Sequence, residues 1–397
     1  MVRILHIAES YGSGVASAIN EFVNNTPENE HYLLFSKGRG TRRIPTWPPE
    51  DLFKEVFDLP VAGLSTLLNI EAKIGHVVDQ VKPDYVHLHS SFAGVYGRWC
   101  AHRIHKSGAK IVYSPHCYAF ERENISKVVR KIYRVIEKVF SKRTDIYAVC
   151  SLREYNLTQE LLNQKSQIVS NTEALSEMTN NPNKILISKK STLVVFVPNL
   201  PSIHCEEKKD VTKMGKYAKV VTVGRISLQK GYEMLPEISV ELAQKRLQDI
   251  ANLGDSDDET EIRNVKFKLL GDGTEEERED FKKKGVRVSG WLDTKKLVKQ
   301  MVNSDIYIHT AKWEGFPIAI KDAIEIGLPI IALNRPYLMS APKEWLFKSK
   351  YDAADMIRDL VHSDELRRQC AYAWQEAYNG NDTPQAQKCA LQEVYSA

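Results

Sequence analysis

The sequence has little of what marks secreted or membrane-spanning proteins. Its six cysteines are scattered over 397 residues and form no Cys-x-x-Cys pair, which indicates reduced, mostly structural thiols rather than a disulfide framework. No apolar run approaches the roughly 18 residues that a spanning helix needs. Residues 1–9 read as a β-strand and carry no signal-peptide pattern. We therefore expect a cytoplasmic protein whose membrane contact, if any, is peripheral and on the inner face.

What the chain does contain is typical of a globular protein with two domains. Hydrophobic residues make up 43% and charged residues 27%, and a length of 397 residues exceeds what one core usually supports. Residues 1–200 hold 25 Lys and Arg against 19 Asp and Glu, while the remainder holds 30 against 32. This asymmetry suits an N-terminal domain that faces an anionic surface, although a solvated face explains most such imbalances. Nothing in the pattern indicates nucleic-acid binding.

Strand-like runs alternate with helical ones along most of the chain, which predicts parallel sheets built from βαβ units. The predicted strands are Val2–Ala8, His31–Ser36, Tyr85–His89, Lys110–His116, Ile146–Ser151, Leu193–Pro198, Lys219–Gly224, Val265–Leu270, Val286–Ser289, Ile306–His309 and Pro329–Leu333. Amphipathic stretches between the first strands include Val15–Val23, Leu67–Val81 and Ile125–Phe140. The fold class expected is α/β with two doubly wound, Rossmann-like domains facing an interdomain cleft.

The polar, aperiodic stretch before the second series of strands predicts a domain boundary. We expect an N-terminal domain over residues 1–200, a linker over 201–217, a C-terminal domain over 218–375 and a C-terminal helix over 376–397 that packs back on the N-terminal domain. Two insertions are predicted, at Ser166–Ser191 and at the acidic stretch Leu253–Glu261. The Asp255-Ser256-Asp257 sequence within the latter resembles a metal-binding Asp-x-Asp, but a block of like charge favours a solvated loop. No metal site is predicted.

The first informative motif is VVTVGRISLQKGYE, residues 220–233. A β-branched run ends in Gly224-Arg225, and Lys230-Gly231 is expected to open a helix. A strand, a glycine turn and a helix N-terminus gather backbone N–H groups and partial positive charge, and Arg225 and Lys230 add fixed charge. Two exposed charges beside an ordinary turn are the simpler alternative. With the second motif below, diphosphate binding is favoured.

The second motif is WEGFPIAIKDAIEIGLPIIAL, residues 313–333, which places Glu314-Gly315-Phe316-Pro317 between a strand and a helix. With these two motifs the chain resembles the family 4 glycosyltransferases, which are retaining enzymes of the GT-B fold. The resemblance implies that Glu314 lies by the sugar hydroxyls and that backbone groups around Gly315, Phe316 and Pro317 hold the sugar and phosphates. It also implies that Asp322 binds the ribose, where the family usually has Glu; Glu325, one turn on, is an alternative.

The resemblance also assigns residues in the first half of the chain. His116, after the predicted strand Lys110–His116, matches a family histidine beneath the transferred sugar, and Gly14 matches a glycine loop on the phosphate or acceptor side. Ser151 and Asn199 fall at strand ends that match family positions, or are simply turn residues. His87 and His89 project to one face of a strand. Strand-end packing is favoured over a metal pair, because the sequence shows no third ligand.

The predicted function is transfer of a hexose-type sugar from a nucleotide diphosphate sugar, UDP- or GDP-linked, to a glycan or lipid-linked acceptor in surface polysaccharide or glycoconjugate synthesis. The family implies retention without a covalent protein intermediate, with no metal and no cofactor. His116, Glu314, Arg225 and Lys230 are the expected catalytic residues. A nucleotide-sugar epimerase of the same fold and a catalytically silent nucleotide-sugar-binding protein remain open as alternatives.

One helix carries an unusual concentration of basic residues. Between residues 122 and 143 there are eight Lys and Arg, interleaved with apolar residues at helical spacing. The favoured interpretation is a helix whose apolar stripe lies in the domain core and whose basic residues lie in water. The alternative is docking on an anionic membrane, where a lipid-linked acceptor would be found.

Overall fold

The computed structural model describes residues 1–36, 48–49, 51–59, 66–163, 185–186, 192–206, 208–252, 263–378 and 382–397. Apart from Ile185 and Leu186, both predicted insertions lie outside these residues, and so does Asp255-Ser256-Asp257. By its internal contacts the chain divides into two units. The first contains residues 1–200, 314–316 and 380–397, and the second contains residues 201–313 and 317–379.

The first unit is built on a sheet of eight strands in the order β3-β2-β1-β4-β5-β6-β8-β7, parallel except for β7. The strands are β1 Arg3–Ala8, β2 Glu30–Phe35, β3 Glu55–Asp58, β4 Tyr85–His89, β5 Lys110–Ser114, β6 Ile146–Val149, β7 Ile185–Leu186 and β8 Leu193–Phe196. Its first six helices are α1 Ser13–Asn24, α2 Thr66–Val81, α3 Ser90–Trp99, α4 Ala101–Lys106, α5 Lys127–Phe140 and α6 Leu152–Leu161.

The second unit has a six-stranded, fully parallel sheet in the order β11-β10-β9-β12-β13-β14. The strands are β9 Tyr217–Val223, β10 Asn264–Leu270, β11 Val286–Val288, β12 Ile306–His309, β13 Ile330–Leu333 and β14 Leu346–Phe347. Its helices are α7 Met234–Ala251, α8 Glu275–Lys283, α9 Thr294–Val302, α10 Ile318–Ile326, α11 Lys350–His362 and α12 Asp364–Tyr378.

Both sheets reverse their winding direction at one pair of neighbouring strands. In the first sheet that pair is β1 and β4, and in the second it is β9 and β12. Ligands of doubly wound sheets bind outside the carboxyl ends of the strands at this switch point. The Gly-Arg…Lys-Gly motif follows β9 and the Glu-Gly-Phe motif follows β12, so the topology places both motifs where a ligand is expected. The predicted α/β fold with two doubly wound sheets is confirmed.

The strands that the sequence prediction missed are β3, β7 and β14. Each has only two to four residues, and β3, β7 and β14 lie at the ends of their sheets. A short edge strand is paired on one side only and therefore needs no long apolar run to signal it. The predicted central strands contain such runs, as in Ile330–Leu333, where all four residues are buried.

Residues 201–217, predicted as a linker, are tied to the second unit. Ser202 and Lys209 bond to Asp322 and Asp305 respectively, and the Arg367 guanidinium donates to the Val211 carbonyl. The last helix, α13 Pro384–Val394, packs instead in the first unit. Ala390, Leu391 and Val394 of this helix, and Tyr395 just after it, belong to a core cluster that contains Ile4, Val112 and Val195.

Candidate active site

The turn after β5 holds His116 in a conformation that few residues adopt. His116 has φ 48° and Cys117 has φ 92°, both in the left-handed region that disfavours side chains with a Cβ. The predicted strand reached His116, but β5 ends at Ser114 because this backbone cannot continue a strand. Such strain persists where surrounding contacts enforce it, and it is concentrated at functional sites.

A buried carboxylate enforces the turn. Glu154 Oε1 accepts a 2.6 Å hydrogen bond from the Cys117 N–H, and Oε2 accepts one of 3.1 Å from Cys150. Ser151 caps α6, because its Oγ accepts the Glu154 N–H at 3.2 Å. Burial raises the pKa of Glu154. The sequence analysis missed Glu154, although Ser-x-x-Glu at 151–154 is a helix-start signature that could have drawn attention to it.

Gly315 packs directly on this turn. A Cβ added at Gly315 would lie 2.7 Å from Glu154 Oε1, 2.8 Å from the Cys117 nitrogen and 2.9 Å from the His116 carbonyl carbon. Two of these atoms belong to the backbone and cannot rotate away. The glycine of the Glu-Gly-Phe motif is therefore required by close approach to the histidine turn, which the sequence pattern alone does not show.

Glu314 and Phe316, the direct neighbours of Gly315, belong to the same unit. The Asn199 side-chain amide donates to the Phe316 carbonyl at 3.0 Å, so Asn199 holds the motif in place. Glu314 is half-buried, and its charge helps to raise the pKa of the Cys117 thiol, after burial and Glu154. Phe316 and Pro317 are buried, and Pro317 is the N-cap residue of α10. The first unit thus brings His116, Ser151, Asn199 and the Glu-Gly-Phe motif together.

His116 is a neutral base in this setting. Burial lowers its pKa to about 4, so the imidazole is uncharged at neutral pH and can exchange hydrogen bonds but not supply a fixed positive charge. Its Nε2 lies 3.0 Å from His89 Nδ1. A neutral ring that makes one hydrogen bond to protein is suited to orienting a sugar hydroxyl with its other nitrogen.

The structure adds the third histidine that the sequence did not reveal. His6, His87 and His89 place one nitrogen each within 4.8 Å of one another, and the β1–β4 register sets His6 opposite His87. Every nitrogen of the three rings already has a hydrogen-bond partner. The geometry therefore favours a hydrogen-bonded imidazole cluster over a metal centre. The adjacency of β1 and β4 in this topology could have identified His6 from sequence.

Gly14, the other predicted residue of the first unit, lies in the first turn of α1 and is exposed. The residue before the helix, Gly12, is extended with φ −173° and caps α1 without a side-chain hydrogen bond. This turn follows β1, one of the two strands at the switch point. The location agrees with a ligand-facing turn, and the role of Gly14 stays a prediction.

In the second unit, the turn after β9 requires its glycines. Gly224 has φ 143°, and a Cβ there would lie 2.7 Å from the Tyr232 hydroxyl and 3.3 Å from Lys230 Cε. Gly231 has φ 63° and approaches the Thr310 carbonyl so closely that a Cβ would lie 2.4 Å from it. The Thr310 hydroxyl donates to the Lys230 carbonyl at 2.7 Å. The Lys230 side chain is thereby set across Gly224, while Arg225 is exposed.

The expectation that Lys230-Gly231 opens a helix is wrong. Residues 228–233 form turns, and α7 begins at Met234. Glu233 occupies the N-cap position and forms an ion pair with Lys312. The left-handed Gly231, held against Thr310, is what delays the helix. Positive charge in this turn therefore comes from side chains and loop N–H groups rather than from a helix N-terminus.

Asp322 is buried in the second unit and is hydrogen-bonded to Ser202. It is 3% exposed, and its carboxylate accepts hydrogen bonds from the Ser202 N–H at 2.6 Å and from the Ser202 hydroxyl at 2.9 and 3.1 Å. Burial raises its pKa to about 7. Glu325, the alternative, pairs with Lys208 at 2.9 Å and is more accessible. A ribose contact by Asp322 stays a prediction, and it requires Ser202 to release the carboxylate.

Helix α5 differs from the favoured interpretation. Val129, Tyr133 and Ile136 are partly buried and Phe140 is buried, but Val128, Ile132, Val135 and Val139 are 51–66% exposed. Successive residues of a helix are rotated by about 100°, so pairs such as Val128-Val129 cannot share one face. The apolar residues therefore form two stripes, of which one faces the core and one faces solvent. Within the residues described, no helix is long and apolar enough to cross a membrane.

Comparison with known proteins gives a family match for part of the chain and a fold for the whole of it. Residues 205–377 match the family described as "Glycosyl transferases group 1". The crystal structure of Anabaena Alr3699/HepE in complex with UDP and glucose has a TM-score of 0.65 and 14% identity, and the match covers 100% of both chains. The family match lies in the C-terminal part of the chain, and the fold of the chain is GT-B.

Two bacterial proteins are similar in sequence to large parts of this chain. A Klebsiella pneumoniae protein described as an "Uncharacterized 41.2 kDa protein in cps region" is 26% identical over 340 residues, which span 84% of this chain and 81% of the relative. The Escherichia coli "UDP-Gal:alpha-D-GlcNAc-diphosphoundecaprenol alpha-1,3-galactosyltransferase" is 28% identical over 265 residues, or 64% of this chain and 58% of the relative. The chain is similar to these proteins over those segments.

Proposed function

We propose that this glycosyltransferase moves a hexose from a UDP-sugar to a lipid-linked glycan acceptor, with retention of the anomeric configuration and without a metal ion, in surface polysaccharide synthesis. The observation that carries the proposal is the fit of Gly315 against the His116 turn, where a Cβ would meet backbone atoms at 2.8 and 2.9 Å. That contact joins the family's sugar-binding motif to its histidine in one rigid cluster.

The diphosphate is assigned to the turn after β9. Gly224 and Gly231 let the backbone bend so that Lys230 extends across the turn, and Arg225 is exposed beside it. A guanidinium and an ammonium provide the fixed positive charge that a departing diphosphate needs. The choice of UDP over GDP is supported by the UDP and glucose bound in the HepE structure and by the donor in the name of the E. coli relative.

The proposed reaction exchanges one C1–O bond for another. The bond from the sugar C1 to the diphosphate oxygen breaks as the acceptor oxygen bonds to C1 on the same face. The acceptor hydroxyl proton passes to the departing diphosphate, so no protein residue is left protonated and no covalent enzyme intermediate forms. Glu314 and His116 orient the sugar hydroxyls. A His116 with a pKa of about 4 is suited to that role and not to general-base catalysis near neutrality.

We further propose that the solvent-facing stripe of α5 docks on anionic lipid. Val128, Ile132, Val135 and Val139 recur every three or four residues, so they form a continuous outward row. The opposite side of the helix is anchored by the buried Arg98–Glu137 ion pair at 2.9 Å. An apolar stripe fixed in an outward position on a rigid helix is a recognised feature of interfacial helices.

Charge complementarity identifies the occupant as a membrane with acidic headgroups. Basic side chains that have no carboxylate partner among the residues described lie along one side of the stripe: Lys127, Lys131 and Lys138. Each such residue near an anionic surface contributes about 1 kcal/mol. The E. coli relative acts, by its name, on a diphosphoundecaprenol-linked substrate, and an acceptor of that kind would lie in such a surface.

A transfer assay tests the catalytic proposal. Purified full-length protein is incubated with UDP-, GDP- and ADP-hexoses and a synthetic glycan linked to a polyprenyl diphosphate, and UDP release and product are measured. We expect product from a UDP-hexose, with donor binding raising the melting temperature. Release of an altered nucleotide sugar without acceptor would instead indicate an epimerase, and donor binding without turnover would indicate a silent binding protein.

Vesicle sedimentation tests the docking proposal. Binding is expected to require phosphatidylglycerol and to weaken steeply with salt, because surface charges are screened. Replacing Val128, Ile132, Val135 and Val139 by Ser should abolish binding while donor turnover on a soluble acceptor persists. The matched control replaces exposed Val240 and Leu247 of α7. Equal binding by the α5 variant and the wild type would leave α5 as ordinary scaffold.

A further inference from the structure

Four imidazoles form a hydrogen-bonded row that ends at His116. His31 Nδ1 lies 3.0 Å from His6 Nε2, His6 Nδ1 lies 3.0 Å from His89 Nε2, and His89 Nδ1 lies 3.0 Å from His116 Nε2. His31, His6 and His89 are 0–3% exposed. Such a row uses both nitrogens of every internal ring.

Sheet register explains how these residues meet. His31 on β2 pairs with Ile4, two residues before His6, and His89 on β4 pairs with Ala8, two residues after it. Because side chains alternate with a period of two, a shift of two residues per strand keeps all three rings on one face. Ser114 pairs with His89, and His116 follows two residues later. The row therefore crosses the sheet diagonally.

The far end of the row fixes the direction of its hydrogen bonds. His31 Nε2 lies 3.1 Å from both the carbonyl oxygen and the hydroxyl oxygen of Thr26. The Thr26 hydroxyl donates its own hydrogen bond to the Phe22 carbonyl at 2.6 Å. Both Thr26 oxygens therefore face His31 as acceptors. The His31 Nε2 must then be the protonated nitrogen.

Proton counting carries that assignment along the row. Burial lowers the pKa of His31, His6 and His89, so each neutral ring has one N–H and one lone pair. His31 Nδ1 accepts, so His6 Nε2 donates; His6 Nδ1 then accepts from His89 Nε2, and His89 Nδ1 accepts from His116 Nε2. No other arrangement gives every bond one proton.

We propose that His6, His31 and His89 are positioning residues that lock His116 in its Nε2–H tautomer, so that Nδ1 presents a lone pair to a hydroxyl of the substrate. Nε2 is already bonded to His89, and no hydrogen-bond partner of Nδ1 is found in the part of the chain that the structure describes. The tautomer follows from the row alone, while its service to a sugar hydroxyl rests on the proposed function.

Nitrogen NMR of the ligand-free, full-length protein with ¹⁵N-labelled histidine tests this directly. At neutral pH we expect the His116 signals, assigned by their loss in His116→Gln, to show a protonated Nε2 and an unprotonated Nδ1. A protonated Nδ1 in the wild type would overturn the proposal without any variant. Because this readout does not involve turnover, a protein without transferase activity could still show the predicted tautomer, and the two failures are distinguishable.

A matched pair of variants tests the coupling. His6→Phe removes one link, so His116 should become a mixture of tautomers, and kcat should fall by about 10- to 100-fold, by analogy with the loss of hydrogen-bond partners that orient metal-ligating histidines. His87→Phe is the control: His87 stacks on His89 with ring centroids 4.1 Å apart, but it bonds to Ser114 and Tyr395 instead of the row. An unchanged His116 tautomer in folded His6→Phe, or the same change in both variants, would contradict the proposal.

Discussion

The turn after β5 and the turn after β9 are built in opposite ways. The first unit surrounds His116 with imidazoles whose pKa values are lowered by burial, and with Glu154, whose pKa is raised by burial. The second unit sets Lys230 over a glycine turn and leaves Arg225 exposed. Neutral groups with fixed hydrogen bonds discriminate shape and hydroxyl direction, whereas permanent charges stabilise a charged leaving group. In the proposed function, the first turn therefore orients the sugar and the second stabilises the departing diphosphate.

The largest expected effect comes from removing charge in the second turn. Arg225→Ala and Lys230→Ala should each lower kcat/KM by about 10²- to 10³-fold, the scale for losing one preorganised electrostatic contact. Steady-state kinetics with a saturating acceptor measure this. Lys296→Ala, at an exposed surface ion pair, is the control and should behave as wild type. Normal turnover in both turn variants would place the diphosphate elsewhere.

Next in size is the steric test of the first turn. Gly315→Ala forces a Cβ to within 2.9 Å of the His116 and Cys117 backbone, and overpacking of this kind costs about 1–3 kcal/mol. We expect lower melting temperature and lower turnover together. Gly215→Ala, where a Cβ meets nothing within 4 Å, provides the comparison. Wild-type stability and activity in Gly315→Ala would show that the close approach of Gly315 to the His116 turn is not needed for function.

A smaller expected effect is the pH dependence that His116 gives to the first turn. His116 has a pKa lowered to about 4 from the ordinary 6.5, so the unfolded chain binds more protons between these values and this residue's contribution to stability increases as pH rises through that window. Turnover should accordingly show no His116 titration between pH 5 and 8, and His116→Gln should weaken the pH dependence of unfolding below pH 6.5. A His116-dependent inflection near pH 6.5 would contradict a buried neutral ring.

The smallest expected effect is the change in the pH dependence of stability when Asp322 is replaced. Its pKa is raised from 3.8 to about 7 by burial, so the folded state holds an extra proton between these values and stability falls as pH rises through them. Asp322→Asn should remove that slope and chiefly change the melting temperature. Glu325→Gln should do neither. If calorimetric titration with UDP shows instead that Asp322→Asn weakens binding by about 1–2 kcal/mol, the predicted ribose contact is supported.

The sequence was sufficient for the central strands of both sheets and for the motif positions, because apolar runs and glycine turns are local signals. It could not reveal contacts between distant segments. Glu154 beneath Cys117, Ser202 on Asp322 and the diagonal row through His6 join residues 25 to 120 positions apart. The prediction for α5 was wrong as well. Helical spacing shows that the apolar residues lie on one wide face of the helix, but it does not show which of them the core covers.

The most direct test of the account is the anomeric configuration of the product formed in EDTA. Wild-type protein, a UDP-hexose and the lipid-linked acceptor are combined in the chelator, and the new linkage is examined by proton NMR. The account predicts that product accumulates and keeps the donor's configuration, because Arg225 and Lys230 supply the charge that a metal would otherwise provide. Product that appears only after Mn²⁺ or Mg²⁺ is added, or that carries the inverted anomer, would contradict it.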